Sequence, residues 1–351
     1  MSTPPPRPAL ADMLANLQKL RAAAPAPSSR PAAPTPRPAI QPKTRTASPP
    51  TPTPAPTAMS ASLTSSASVV RLLSLLREFA GFRPTPQLER KLEKVFQGMG
   101  EAALARWVES LQADASRREL MALVEDLTNH ETYFFRDPPQ LEVLSRHVLP
   151  ALVREKQKRG DKTLRLWSAA CSTGEEAWTL AMMALTALLD AGIARERRPG
   201  DIWLPPDWRL EVMGTDISRQ AIRVARDAAY RTESLASFRQ FPERYRRFFD
   251  DVPAAAGQPA YRHVGPALRP YLRFDLFNLI SPAPPCRDQD LVICRNVLIY
   301  LDIGMHAQVQ RGLRDALRPG GFLMLGVVDR LHLCEDFHDR WFERCVIHER
   351  K

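Results

Sequence analysis

The stretch "LWSAACSTGEEAWTLAM", residues 166–182, decides the fold. An apolar run ends at Ala170, small polar residues follow, and two adjacent carboxylates, Glu175 and Glu176, open an amphipathic helix. In an open α/β sheet, ligands bind beyond the carboxyl ends of the strands, where small residues allow close approach to the backbone. Residues 168–174 are predicted to occupy that position. A dinucleotide site would need a GxGxxG turn holding phosphates at the helix N-terminus. This turn has one glycine, and its two carboxylates would repel a pyrophosphate. The ligand is therefore expected to be cationic, or to carry no phosphate here.

S-adenosylmethionine meets that description, with an ammonium, a sulfonium and no phosphate. The next strand, "WRLEVMGTD", ends on Asp216, placed to accept the ribose hydroxyls as the equivalent acid does in nucleotide folds. Glutamate in a first helical turn is also ordinary dipole stabilisation, so the carboxylate pair alone leaves both readings open.

Outward from this stretch, strands and helices alternate. "SRQAIRVARDAAY" reads as a helix capped by Ser218, and then come "YLRFDLFN", "DLVICRNVLIY", a helix through "MHAQVQRGLRDAL", a turn at "RPGG" and a strand "FLMLGVV". This alternation predicts an α/β doubly wound sheet with a mostly parallel core. The polar, proline-interrupted segment at about 232–270 is too long for a plain loop and is expected to hold its own small strands and helix.

Upstream, 68–128 repeats apolar residues at helical spacing throughout and is expected to form an all-helical N-terminal domain. Its first part, 69–94, carries six Arg or Lys against three Glu, with Arg83, Arg90, Lys91 and Lys94 clustered. That cluster reads either as a solvated face or as a docking surface for an acidic helical partner. Residues 1–67 are Pro, Ala, Ser and Thr with scattered Arg, a composition expected to stay disordered. Seven basic residues there face Asp12 alone, so six of the ten formal positive charges belong to the tail. Within it, 9–23 places Leu10, Met13, Leu14, Leu17 and Leu20 on one stripe, either a docking helix for an unknown partner or one that frays in isolation.

The five cysteines stand singly with no CxxC pair, which argues against disulfides and against a zinc site; no metal is expected. The N-terminus lacks an apolar signal core, and "LAMMALTALL" is too short and too polar to span a bilayer. A cytoplasmic protein with reduced thiols and no membrane insertion is the expectation, and no nucleic-acid partner is predicted.

Five motifs in order, "NHETYFFRD" (129–137), "LWSAACSTGEE" (166–176), "GTDIS" (214–218), "FDLFNL" (274–279) and "VICRNVLIYLD" (292–302), resemble those of the chemotaxis receptor methyltransferases, the CheR family. The resemblance covers roughly 69–330. It implies a class I methyltransferase-like sheet over 146–351, a linker at 129–145 that contributes to the cofactor site, and a small β-subdomain at about 232–270. It implies S-adenosyl-L-methionine as cofactor and glutamate side chains on the acidic helical cytoplasmic region of chemoreceptors as substrate. The residues it assigns to the cofactor are His130, Thr132, Arg136, Glu176, Asp216, Asn278, Leu279, Arg295 and the backbone of Cys294.

A carboxylate acceptor is ionised at neutral pH and needs no general base, and the motifs offer no His and Asp pair. Arg136 and Arg295 are expected to orient the acceptor carboxylate through the planar guanidinium fork, with Tyr300 donating a hydrogen bond to it. Blander roles stand beside these: a salt bridge for Arg136, a packed strand-end aromatic for Tyr300, a turn cap for His130, and linker packing for Phe134 and Phe135. "GVVD" (326–329) departs from the "GHSE" of many relatives, and many relatives have Asn where this chain has His130. Two other functions compete: an inactive S-adenosylmethionine-binding adaptor acting through its tail, and a small-molecule methyltransferase.

Overall fold

A computed structural model of the chain describes residues 66–232, 235–252 and 260–351. The helix expected at 9–23, with nearly all of the tail, lies outside the described residues. The chain divides into two compact units, one containing Pro86–Ala113 and the chain up to Leu72, the other Leu73–Thr85 and Asp114–Lys351. The helical region expected at 68–128 is thus shared between them.

In the smaller unit lie the start of α1 (Ala67–Ala80), α2 (Pro86–Phe96) and α3 (Glu101–Ala113). Helix α2 buries Leu88, Leu92, Val95 and Phe96, and α3 buries Leu104, Trp107, Val108 and Leu111, each at spacings of three and four. The Phe96 and Trp107 rings meet edge to face at 5.9 Å. The Glu101 carboxylate accepts the Ser66 and Ser68 hydroxyls, both at 2.7 Å, which ties the two ends of this unit's chain together. Arg90 and Lys94 are exposed on the outer face of α2, and Lys91 is half-buried.

The larger unit continues through α4 (Arg118–Leu127), α5 (Pro138–Val143), a π-turn and α6 (Leu149–Arg159) into β1 (Thr163–Ala169) and α7 (Glu175–Asp190). A two-stranded hairpin of β2 (Arg195–Arg198) and β3 (Asp201–Trp203) precedes β4 (Arg209–Asp216) and α8 (Arg219–Asp227). Next come β5 (Ala229–Arg231), the single turn α9 (Leu235–Phe238), β6 (Phe249–Val252), β7 (Tyr261–Val264), β8 (Leu272–Leu276) and β9 (Gln289–Cys294). Helix α10 (Ile303–Ala316), β10 (Leu317–Leu325), β11 (Phe337–Phe342) and β12 (Cys345–Arg350) complete it.

Seven strands form the main sheet in the order β8-β4-β1-β9-β10-β12-β11. The pairs from β8 to β10 are parallel, and β12 runs antiparallel to both β10 and β11. This is the expected doubly wound α/β sheet, closed by a terminal hairpin that the sequence reading did not anticipate. Strand β9 is buried along its whole length, as a parallel strand covered on both faces must be. The chain winds outward from β1 through β4 to β8, then crosses back to lay β9 on the other side of β1. A switch point therefore opens at the carboxyl ends of β1 and β9. The insertion expected at about 232–270 supplies β6 and β7, and with β5 just before it they form a separate antiparallel sheet in the order β5-β7-β6.

At the opposite, amino end of the sheet sits a buried ionic network. Asp290 of β9, with no side-chain exposure, accepts from Lys156 Nζ at 2.9 Å, from the Arg318 guanidinium, and from the Arg165 amide at 2.8 Å. Lys156 also reaches Asp161, and Arg318 reaches Glu155 at 2.9 Å. The network fastens α6 to three adjacent strands. Removing a single partner from such a cluster strands the others in low dielectric, so Asp290→Ala is expected to lose about 3–5 kcal/mol of stability in urea unfolding. A loss below about 1 kcal/mol would mean that the cluster is solvated and holds nothing.

Candidate active site

The turn from β1 into α7 is held in an improbable shape. Ala170, Ser172 and Gly174 have φ of 61°, 52° and 97°, so every second residue is left-handed. Alanine and serine bear a steric cost there that surrounding contacts must offset. Three bonds do so: Cys171 N to the Thr215 carbonyl at 2.8 Å, Ser172 N to Asp216 Oδ2 at 2.9 Å, and Gly174 N to the Cys171 carbonyl at 3.0 Å. At Gly174 only glycine fits, since a Cβ would stand 2.7 Å from Ala225 Cβ.

This shape sends the two adjacent carboxylates in different directions. Glu175 is buried, accepting from Thr173 Oγ1 at 2.6 Å and Ser237 Oγ at 3.0 Å, beneath the inserted subdomain. Burial raises its carboxyl above the ordinary 4.5, opposed by those two hydroxyls and a backbone amide. Glu176 turns toward the switch point. Its Oε1 accepts from Ser168 Oγ at 2.8 Å, and its Oε2 accepts from Arg295 Nε at 2.9 Å.

Arg295 is almost wholly enclosed, its side chain 2% exposed. Its Nη1 donates to the Arg136 carbonyl at 3.0 Å and to Gln140 Oε1 at 3.2 Å, and lies 3.7 Å from Asp137 Oδ2. The guanidinium expected to fork onto a substrate carboxylate is instead committed to four groups of its own chain. What it does here is position Glu176 and clamp the linker to the ends of β1 and β9.

Asp216, at the end of β4 and 6% exposed, accepts the Ser172 amide on Oδ2 and the Ser218 amide on Oδ1, both at 2.9 Å. Burial raises its carboxyl, while the Ser218 amide, the nearby His130 and the Ser172 amide pull it down. His130 is brought to the same place, its Nδ1 standing 3.4 Å from Ser172 Oγ. The buried Cys171 thiol reports the local field: desolvation first, then Asp216, Glu176 and Glu175 in that order, hold it well above its ordinary value. Both predicted acids therefore lie in one negative region beside the β1 turn.

The other predicted residues divide. Thr132 is half-buried in the same linker. Arg136 folds back on that linker, donating to the Glu131 carbonyl at 2.8 Å and lying 5.9 Å from the centre of the Tyr133 ring. Tyr300 Oη accepts from Asn129 Nδ2 at 3.0 Å, which leaves the phenol hydrogen free to donate. Asn278 is used structurally, its Nδ2 donating to the Phe79 carbonyl at 2.7 Å and its Oδ1 accepting from the Ile280 amide. Leu279 is partly buried against the core cluster that contains Trp167 and Cys294. The Cys294 side chain is fully buried there, so only its backbone faces the site end of β9. Phe134 and Phe135 take the packing role, meeting Tyr230 of β5 and Phe238, Phe241, Tyr245 and Phe249 of the inserted segment at ring distances of 4.5 to 5.8 Å.

The sequence reading missed two residues of the site. Gln140 carries no motif signal; its amide bridges Arg295 and the Leu325 carbonyl at 2.8 Å. Asp137 directly follows Arg136 in the quoted linker motif, and that adjacency was the available signal. Its backbone is left-handed at φ 57°, and its buried Oδ2 accepts no hydrogen bond. Such an acceptor carries a desolvation cost that a donor from outside the chain would relieve.

The profile described as "CheR methyltransferase, SAM binding domain" matches residues 130–345. Chemotaxis protein methyltransferase 1 of Pseudomonas aeruginosa is 31% identical over 250 residues, covering 71% of this chain and 83% of that protein. Chemotaxis protein methyltransferase Cher2 of Pseudomonas putida is 30% identical over 249 residues, with the same two coverages of 71% and 83%. Among solved structures, a TehB-like SAM-dependent methyltransferase from Corynebacterium glutamicum aligns with 61% of this chain and 96% of its own, at 11% identity and a TM-score of 0.31. So low a score adds nothing to the strand order itself.

A carboxyl raised by burial binds its proton more tightly folded than unfolded, so stability falls as pH rises from the unfolded value toward the folded one. Glu175→Gln removes that term. The variant is expected to gain on the wild type in urea unfolding as pH is raised from about 4 to 7, because the unfolded wild-type chain ionises this carboxyl at its ordinary 4.5 while the folded chain still holds the proton. A stability difference that stays flat across this window would show that the Glu175 carboxyl is not shifted.

Proposed function

The chain belongs to the CheR methyltransferase family, and on that premise we propose that it methylates glutamate side-chain carboxylates of chemoreceptors. S-adenosylmethionine-dependent methylation in chemotaxis signalling is the family's activity; the glutamate acceptor, the receptor partner and the residue roles are the proposal. The observation that carries it is the placement of two acids, the half-buried Glu176 and the buried Asp216, around a turn where their charge would repel a phosphate.

These residues fit a cationic nucleoside. Asp216 keeps lone pairs beyond its two amide contacts for the ribose hydroxyls, and Glu176 and Asp137 Oδ2, which accepts no hydrogen bond, suit an ammonium. His130 and Thr132 complete the linker side, and Asn278 and Leu279 the adenine side. Bound there, S-adenosylmethionine supplies an electrophilic methyl group on a sulfonium.

On the chain's side, no proton has to move. A glutamate acceptor is ionised near neutrality, and the product is an uncharged ester. Attack on a sulfonium brings opposite charges together, so excluding water favours the transition state over the separated ions. The enclosed floor, with Arg295 and Cys294 both buried, serves that exclusion. Alignment falls to Tyr300, whose free phenol hydrogen can hold one acceptor oxygen, and to Arg136 as the guanidinium not consumed by a buried pair. Arg295 is a positioning residue in this scheme, not a substrate clamp. The exposed Arg90 and Lys94 of α2 suit an acidic helical receptor surface.

The deciding experiment supplies methyl-labelled cofactor and cytoplasmic fragments of the host's chemoreceptors. Base-labile label on fragments with Glu at the acceptor position, and none where it is Gln, is the expected result; label that survives base would refute ester formation. Asp216→Ala should weaken cofactor binding by about 1–3 kcal/mol in calorimetry, and an unchanged affinity would remove Asp216 from the site.

A further inference from the structure

Eight large apolar side chains stand exposed among the described residues, and four of them, Ile299, Ile303, Val327 and Val328, follow the carboxyl ends of β9 and β10. Single exposed apolar residues need no explanation, but a cluster at the mouth of a site does.

Val327 and Val328 are the corners of a closed turn. Gly326 N donates to Asp329 Oδ2 at 3.0 Å and Asp329 N donates to the Gly326 carbonyl at 2.9 Å, which throws the two valines outward at 71% and 74% exposure. Turn corners favour Gly, Asn, Asp or Pro; a β-branched pair gives the turn nothing and leaves apolar surface in water. The turn is fixed against the site. A Cβ on Gly326 would stand 2.9 Å from the Asn296 amide, immediately after Arg295. The following residues ride on α10, where Gln310 Nε2 donates to the Arg330 carbonyl and Gln310 Oε1 accepts the His332 amide, both at 2.7 Å. One helical turn before that, the His306 ring stands 5.5 Å from His332, and Ile303, 68% exposed, lies a further turn up the same face. Ile303 and the valine turn thus stand on the connections that leave the carboxyl ends of the adjacent strands β9 and β10.

We propose that Val327, Val328 and Ile303 form a specificity surface for a helical partner segment whose apolar side chains sit three and four positions from the acceptor glutamate. This inference rests on the function proposed above. The partner is helical on the function proposed above, whose acceptor lies in a helical receptor region, and the sheet agrees: β9 lies between β1 and β10, and β10 between β9 and β12, so no strand edge is open here for an extended peptide to pair with. A helix satisfies its own backbone, and residues three and four positions from the acceptor share its face. Their burial against the valines would expel water from the mouth when the acceptor enters. That serves a reaction in which desolvation is the main demand on the chain.

The test compares wild type, V327S/V328S and V327I/V328I on cytoplasmic receptor fragments that the wild type methylates. V327S/V328S should raise the KM for the fragment about tenfold while cofactor affinity and melting temperature stay unchanged, and V327I/V328I should keep the wild-type KM. Fragments with Ser at the apolar positions three and four from the acceptor should lose the same factor with the wild type and little more with V327S/V328S. An unchanged KM in V327S/V328S overturns the inference and leaves the glutamate methyltransferase reading standing. A parallel loss of cofactor affinity overturns it too, by assigning the turn to the cofactor. Absence of wild-type ester on every fragment overturns the proposed function, and this inference with it.

Discussion

The architecture around the switch point depends on one buried ion pair, Arg295 with Glu176. A guanidinium enclosed to 2% exposure is tolerable only if its charge is matched and its hydrogens are received. Glu176 matches the charge through Nε, and the Arg136 carbonyl and Gln140 Oε1 receive Nη1. These partners come from four places in the chain: the linker before α5, the start of α5 itself, the first turn of α7, and the residue after β9. Ser168 extends the set to β1 through the second Glu176 oxygen. Removing either charge would strand the other in low dielectric, so the pair fixes where the linker lies and where β1 and β9 end relative to it.

The pair also explains why the inserted subdomain is not a detachable ornament. With the linker clamped at Arg136, the two preceding aromatics are committed to one side, where Phe134 meets Tyr230 at 4.9 Å and Phe135 stacks on Tyr245 at 4.5 Å. The Phe134 amide donates to the Ser237 carbonyl at 2.9 Å while the Ser237 hydroxyl reaches Glu175. Tyr230 Oη in turn donates to the Thr173 carbonyl at 2.8 Å, inside the strained turn. Linker, turn and insertion therefore share one aromatic core and one chain of hydrogen bonds. The left-handed residues of the turn persist because contacts from several sides determine them.

Much of this was legible in the sequence because it is periodic or local. The apolar run of β1, the carboxylates after it and the acid ending β4 are each readable within a dozen residues, and they fixed the sheet and the region of the site. What escaped was pairing at long range. Glu176 and Arg295 are 119 residues apart, and nothing local distinguishes a guanidinium that will face a ligand from one that will be buried by a carboxylate. The same blindness hid the fates of Glu175 and Glu176, adjacent residues separated only by the left-handed turn that precedes them. The terminal hairpin escaped for a different reason: β11 is exposed at four consecutive positions, His338 to Trp341, so it shows no alternation to read. Asn278 was assigned to a ligand by its motif, yet its amide ties α1 to the end of β8. A motif places a residue near a site without saying which of its atoms remain free.

The two flanks of the switch point differ in a way that suits the proposed chemistry. On the β1 and β4 flank, burial first and then the charges of Asp216 and Glu176 push the Cys171 thiol well above its ordinary value. On the β9 and β10 flank stand a phenol with a hydrogen to give and a turn of exposed valines. A reaction that joins a cation to an anion needs the cation held by negative charge on one side. On the other side the anion needs guiding with little excess charge, since each full positive charge there stabilises the separated carboxylate more than the neutralising transition state; the Tyr300 phenol is neutral, and Arg136 is the single guanidinium assigned to the acceptor. Burying Arg295 against Glu176 removes such a charge from the acceptor's path and spends it on the frame. The ion pair that builds the site thereby also keeps a second guanidinium away from its acceptor side.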